Sequence, residues 1–289
     1  MQTRALLTAL ALACFAGNSL LCRLALAAHE IDATSFVAIR LASGALVLWA
    51  LARPRARDAR TRSARWISAA LLFGYAAPFS YAYLRLGAGM GALILFAAVQ
   101  VTMLGAGILG GERPGALAWL GIALALAGLL GLTWPGKGAP DLAGMAAMAL
   151  AGAAWGGYSL RGRVASGDPL VTTAASFTLS LPFAAVLFAL AVPLFGAQAS
   201  LRGVVLAAAS GAVASGLGYS IWYAALPQLT ATTAAAVQLL VPVIAAAAAV
   251  VLLGEAISLR LVVTSATILS GVGLTIRDRA VRPKLAARV

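Results

Sequence analysis

Groups able to move protons or hold a metal are few in this sequence, and none stands in the middle of an apolar run. There are eight carboxylates, Glu30, Asp32, Asp58, Glu112, Asp141, Asp168, Glu255 and Asp278, and one histidine, His29. Each lies in a short polar break or at the end of an apolar run. No paired Asp cluster or His cluster falls on one helix, so membrane-embedded metal or prenyl-transfer chemistry lacks its ligands. Cys14 and Cys22 share the first apolar run; they are too few for a disulfide framework, have no metal-binding neighbours, and read as packed thiols. The sequence asks for neither a cofactor nor a metal.

The polar side chains inside the apolar runs are of another kind. Arg40 is the one charge there, about six residues into its run, or roughly 9 Å at 1.5 Å per residue. A guanidinium matches a carboxylate bidentately, so Arg40 is a candidate substrate contact; the alternative is an arginine snorkelling to the surface or bonding helix-end carbonyls. Asn18, in Gly17-Asn18-Ser19, must find partners in lipid, either a neighbouring helix or a ligand. The third run carries Tyr75, Pro78, Phe79, Ser80, Tyr81 and Tyr83, and the eighth carries Ser215, Tyr219, Ser220, Trp222 and Tyr223. On a regular helix Ser215, Tyr219 and Trp222 share one face. Aromatic rings with a polar tip suit a greasy cavity that needs a few hydrogen bonds; an interfacial belt fits Tyr83 and Tyr223 better than Tyr219, Ser80 or Trp155. Gln100 and Gln238 also lie within runs, and Gln238 precedes Pro242 by one turn. A glutamine beside a proline break either gates, binds substrate, or bonds the carbonyl that proline frees.

These residues need a scaffold, and composition says which. Of 289 residues, 62% are apolar and 10% charged, and mean hydropathy is +0.97. A soluble domain of this length cannot bury that much apolar surface, and disorder needs the opposite balance. Apolar runs fall at about 5–22, 34–52, 66–84, 89–110, 115–133, 142–160, 169–193, 202–224, 230–253 and 258–276, each near the length of a membrane span. The expectation is an all-α integral membrane protein of ten transmembrane helices. Met1–Arg4 with Ala25-Leu26-Ala27 imitates a cleavable signal peptide, but the run is long and carries Asn18, so it is expected to stay as the first span. The net charge of +13 is a topology signal and not a nucleic-acid one: fifteen of the 21 Lys and Arg fall on one side, five on the other, and Arg40 inside. That bias puts both termini in the cytoplasm, with the inner arginines against anionic lipid.

The chain also repeats itself. The fourth run ends Leu109-Gly110-Gly111-Glu112 and the ninth Leu252-Leu253-Gly254-Glu255, each followed by a glycine sixteen residues past the Glu, Gly128 and Gly271. Runs three and eight end in Tyr83-Leu84-Arg85-Leu86 and Tyr223-Ala224-Ala225-Leu226, and runs one and six go from an aromatic to a basic residue, Phe15 to Arg23 and Trp155 to Arg161 or Arg163. Two five-span units are expected, 1–137 and 138–289; five being odd, the second sits upside down. Inverted repeats place a substrate site at their interface near the midplane.

With Gly218-Tyr219-Ser220-Ile221-Trp222 ahead of Val241-Pro242 and Gly254-Glu255, nearly the whole chain resembles the drug/metabolite transporter superfamily in its EamA-type branch. Trp155, Tyr158, Tyr219 and Trp222 look similar to the bacterial aromatic and neutral amino-acid exporters of that branch. One departure is the position matching Pro242 in the fourth run, where Val99 stands instead of a proline. The resemblance implies a monomeric inner-membrane exporter of small metabolites, most of all amino acids, moving them through a central cavity by alternating access. The expected substrate contacts are Asn18, Arg40, Ser80, Tyr81, Trp155, Tyr158, Tyr219, Trp222 and Gln238, with Pro78 and Pro242 at gates or kinks. With no mid-span carboxylate, a facilitator or exchanger is expected ahead of a proton symporter. Partners are the small-molecule substrate and membrane lipid, and no nucleic acid. The rival readings are a drug exporter of the same fold, a structural subunit, and an integral-membrane enzyme for a lipid-linked substrate, which would need a polar cluster at the membrane face.

Overall fold

A computed structural model of the chain describes residues 2–26, 28–52, 62–86, 88–133, 141–165, 167–253 and 259–286. Among the described residues the secondary structure is helical, apart from one isolated bridge between Ile31 and Ala199. The helices are α1 (Gln2–Leu26), α2 (Ala33–Leu51), α3 (Arg62–Tyr83), α4 (Ala88–Leu109), α5 (Ala116–Thr133), α6 (Leu142–Arg163), α7 (Pro169–Phe195), α8 (Leu201–Ala209), α9 (Gly218–Ala225), α10 (Ala231–Gln238), α11 (Leu240–Leu253) and α12 (Leu259–Ala286). A π-helical segment, Ser210–Leu217, joins α8 to α9 without a break. Four stretches, Ala5–Leu26, Ala33–Leu51, Pro169–Phe195 and Leu201–Gln228, are long and apolar enough to cross a membrane; Ile94–Leu109, Ala116–Gly131 and Ala231–Ala245 are shorter apolar helices. Large apolar side chains such as Trp49, Val101, Leu194 and Val251 point outward and exposed. In water such a surface would be an aggregation hazard; in lipid it is the solvent-facing side.

Helix starts explain where the carboxylates went. Asp32, Asp141 and Asp168 are the N-caps of α2, α6 and α7, accepting from the amides of Ser35 (2.9 Å), Gly144 (2.6 Å) and Leu170 (2.8 Å). A carboxylate there satisfies amides that have no partner in the helix and complements the helix dipole. Glu112 does this across the molecule. From the α4–α5 loop its Oε1 accepts from the Ala231 amide (2.8 Å), and its Oε2 from the Thr232 amide (3.1 Å) and hydroxyl (2.8 Å), while Arg163 Nη1 lies 3.1 Å from Oε1. At the opposite end the loops before α2 and α8 are clipped together. The Asp32 amide donates to the Gln198 carbonyl (2.8 Å), the Gln198 amide to Asp32 Oδ2 (2.9 Å), and the Ser200 amide to the Glu30 carbonyl (2.7 Å).

Glu112 yields a pH prediction. Burial alone would raise its carboxyl, but the Ala231 and Thr232 amides, the Thr232 hydroxyl and the Arg163 guanidinium hold it below the ordinary glutamate value. A folded-state value below the unfolded one gives stability that is complete above about pH 4.3 and lost as pH falls through the folded value. Glu112→Gln is therefore expected to lower the thermal midpoint at neutral pH, and the gap to wild type should close on acidification below about pH 4. A gap that widens in acid contradicts the assigned sign.

The ninth run differs from the uniform helix that its apolarity suggests. It breaks at Leu239 into α10 and α11, because Pro242 has no amide to give the carbonyl four residues back, which is that of Gln238. The fourth run, with Val99 at the matching place, stays one helix. Pro78 lies inside α3 without interrupting it. Gly254-Glu255, Pro135-Gly136-Lys137 and residues 53–61 of the arginine-rich stretch lie outside the described residues.

Packing partners recur five helices along. The rod running from α8 to α9 packs on α1 and α2 as α3 packs on α6 and α7, and α11 packs on α1 as α4 packs on α6. α2 meets α7, α4 meets α10, and α5 meets α12. At the α5–α12 crossing a Cβ on Gly121 would lie 2.5 Å from the Gly271 carbonyl oxygen, and one on Gly271 2.4 Å from that of Gly121. Gly128 is pressed against the same helix at Thr264 and Ile268. Backbones approach this closely only where side chains are absent.

Candidate functional site

A cavity of about 30 Å³ lies among α1, α3, α4, α6, α9 and the α10–α11 break. Its wall is Phe15, Asn18, Ser19, Tyr75, Phe79, Leu95, Phe96, Trp155, Tyr219, Gln238 and Val241. The volume accommodates roughly two or three water-sized spheres.

Aromatic rings make most of the wall. Trp155 is the hub: its ring centre is 4.6 Å from Tyr219, 5.0 Å from Tyr75 and 5.1 Å from Phe15, the last edge-on. Such tilted and edge-to-face pairs are the favoured arrangement of quadrupolar rings. The indole Nε1 donates to Gln238 Oε1 at 2.6 Å. The Gln238 amide nitrogen in turn donates to the Ala234 carbonyl (3.0 Å) and approaches Met103 Sδ (3.2 Å). Gln238 thus ties the α10–α11 break to α6. Asn18 finds partners on neighbouring helices: Oδ1 accepts from the Ser210 hydroxyl at 2.6 Å and Nδ2 donates to the Tyr75 hydroxyl at 3.5 Å, and the residue lines the cavity.

Arg40 is 1% exposed, so it does not snorkel. Nε donates to Ser215 Oγ at 3.0 Å, and Nη2 to the hydroxyls of Tyr219 (2.6 Å) and Tyr75 (3.4 Å). Its Cζ lies 5.2 Å from the Tyr75 ring centre and 5.7 Å from that of Phe79, within cation–π range. It therefore stands one side chain behind the cavity wall. The π-helical segment contributes here. A π turn adds a residue to the turn and is frequent at functional sites; this one is made of small residues, Ser210-Gly211-Ala212-Val213-Ala214-Ser215-Gly216-Leu217. It brings the Ser210 hydroxyl to Asn18 and that of Ser215 to Arg40.

Four expected contacts are not among the wall residues. Ser80 bonds back to the Ala76 carbonyl at 2.9 Å, inside its own helix. The Tyr81 hydroxyl meets that of Thr34. Tyr158 is buried beside Tyr223, whose hydroxyl donates to the Tyr158 carbonyl at 3.0 Å. Trp222 donates from Nε1 to Ser159 Oγ at 3.1 Å and packs its ring 5.6 Å from Phe15, while Ser215 and Tyr219 both meet Arg40. Sequence reasoning passed over Tyr75, Phe79 and Phe15 as wall residues. The four-residue step from Tyr75 to Phe79 puts both on one helix face, and their rings lie 5.1 Å apart; that spacing was the available signal. Among the described residues there is no group of three or more His, Cys, Asp or Glu able to hold a metal ion.

Comparison with known proteins identifies the family. The model of the EamA-like transporter family matches twice, over residues 2–134 and 142–277. The chain is 53% identical over 276 residues to the uncharacterised protein PA1977 of Pseudomonas aeruginosa, covering 95% of this chain and 94% of that one. A protein of known crystal structure superposes with a TM-score of 0.72 at 22% identity, covering 94% of this chain and 98% of the other, a likeness of fold. With two family matches spanning nearly all of an apolar helical chain, the protein belongs to the EamA-like transporter family and is a multi-pass membrane protein.

Proposed function

We propose that the chain exports small metabolites, foremost amino acids and aromatic ones among them, across the inner membrane by alternating access between two inverted five-helix units, 1–137 and 138–289. The observation that carries this reading is the cavity, whose wall takes residues from both halves: Phe15, Asn18, Tyr75, Phe79, Leu95 and Phe96 from the first, Trp155, Tyr219, Gln238 and Val241 from the second. An aromatic enclosure with a few fixed amides and hydroxyls is what a small molecule with an apolar body and a polar head requires. The recurrence of packing partners five helices along supports the two-unit architecture. A substrate has to be admitted by opening one end at a time, and the two ends carry separable polar latches: Asp32 with Gln198, and Glu112 with the start of α10. Fifteen of 21 cations on one side support cytoplasmic termini. The substrate contacts are Asn18, Tyr75, Trp155, Tyr219 and Gln238, with Arg40 behind them, and Leu239–Pro242 is the hinge.

Purified chain in liposomes, offered a panel of labelled amino acids with a pH dye in the lumen, tests this. Saturable uptake of aromatic amino acids without stoichiometric change of luminal pH is expected. Flux tied to one proton per substrate would remove the facilitator or exchanger mechanism, and no flux of any amino acid would remove the substrate class.

A further inference from the structure

Among the described residues Arg40 is a buried cation without a counter-ion. Its Nη1 has no hydrogen-bond partner among the described residues, and its charge is met by hydroxyl dipoles and ring faces alone. The described carboxylates are engaged at helix ends and loops, as with Glu30 and Arg202, Glu112 and Arg163, and Asp141 and Arg85. A guanidinium withdrawn from water is stabilised fully only when an anion joins it. Three of the residues it touches, Tyr75, Phe79 and Tyr219, also form the cavity wall. The Tyr75 and Tyr219 oxygens accept from Nη2, and a hydroxyl that accepts still has its own proton to give. Tyr75 and Tyr219 both line the cavity and are within hydrogen-bond reach of each other, so one proton of the pair is left to give to an anionic oxygen, with the positive charge behind it.

From this arrangement we infer that the cavity is a carboxylate site in which the occupant's amino group is not read. The inference rests on the proposed function only in taking this cavity as the binding site. Arg40 strengthens binding of a carboxylate and opposes an ammonium in the same low-dielectric space, and no carboxylate is among the wall residues to receive one. The substrate class is then organic acids with an apolar or aromatic body, amino acids being only one member.

Calorimetric titration of the purified chain in lipid nanodiscs decides it, with four probes that share one ring and spacer: 3-phenylpropionate, phenylalanine, 3-phenylpropanamide and phenethylamine. The expected result is that 3-phenylpropionate binds at least as tightly as phenylalanine, and the amide and amine at least tenfold more weakly. Arg40→Gln should bring acid and amide within threefold. If that variant does not fold, Tyr219→Phe, which keeps the charge and removes one donor, should narrow the same gap. Equal binding of acid and amide by wild type, no binding of any probe, or a gap that survives in the folded variants overturns the inference. Phenylalanine flux with equal acid and amide binding leaves the transport reading intact while removing this one; acid-selective binding without flux does the reverse.

Discussion

A Gly211→Ala variant is expected to lose about 3 kcal/mol of stability or more, and with it all transport. The added Cβ would lie 2.0 Å from the Arg40 carbonyl oxygen, 2.2 Å from Ser43 Oγ and 2.7 Å from the Arg40 carbonyl carbon. Two of those atoms are backbone of the facing helix, so relief demands that α2 move away from the π segment. Moving α2 pulls the Arg40 guanidinium from Ser215 and Tyr219, and the same methyl therefore acts on fold and site together. The control is Gly17→Ala. A Cβ there meets nothing within 4 Å, and alanine within a helix is favoured over glycine by up to about 1 kcal/mol. Thermal unfolding in detergent should show a large drop for the first variant and none for the second. Equal midpoints would mean that the α2 crossing is looser than described.

The second large effect is expected at Trp155. Trp155→Phe keeps an aromatic ring but removes the indole donor, leaving Gln238 Oε1 buried without the 2.6 Å bond it now accepts. An abandoned buried acceptor costs about 1–3 kcal/mol. Its consequence for transport is expected to exceed that for stability, because the bond joins α6 to the helix break at Leu239 and both residues line the cavity. We expect at least a tenfold loss of flux at a modest loss of stability. Gln238→Leu should show a similar loss, and the double variant should be little worse than either single one, as coupled partners are non-additive. Fully multiplicative losses would indicate two independent contacts and no shared hinge bond.

Much of the fold was legible because lipid imposes a single solution on an apolar chain: helices about twenty residues long, with charges exiled to their ends. The carboxylates Asp32, Asp141 and Asp168 were legible as lying outside the apolar runs, and the structure adds that they cap helix starts. The break in the ninth run followed from one proline. The site was legible in part. Asn18, Trp155, Tyr219 and Gln238, which line the cavity, stood out because polar or amphipathic groups inside apolar runs need partners. Tyr81 and Trp222 belong to the same residue types, yet their polar partners are Thr34 and Ser159, which are not among the wall residues. Residue type says that a partner exists; only packing decides which one. The π segment left no trace in the sequence beyond a run of mostly small residues, so the register shift it introduces between α8 and α9 was invisible. Arg40 was seen as a charge in a span, but its aromatic and hydroxyl setting comes from α3 and the rod of α8 and α9, far away along the chain.

The central claim is that a molecule passes through this cavity by alternating access. Counterflow tests it most directly: liposomes containing the purified chain, loaded with unlabelled phenylalanine and diluted into a trace of labelled phenylalanine. The account predicts a transient accumulation of label above its external concentration, abolished in Gly211→Ala and at least tenfold slower in Trp155→Phe. Label that enters no faster than in protein-free liposomes, or an overshoot undiminished by Trp155→Phe, would contradict it.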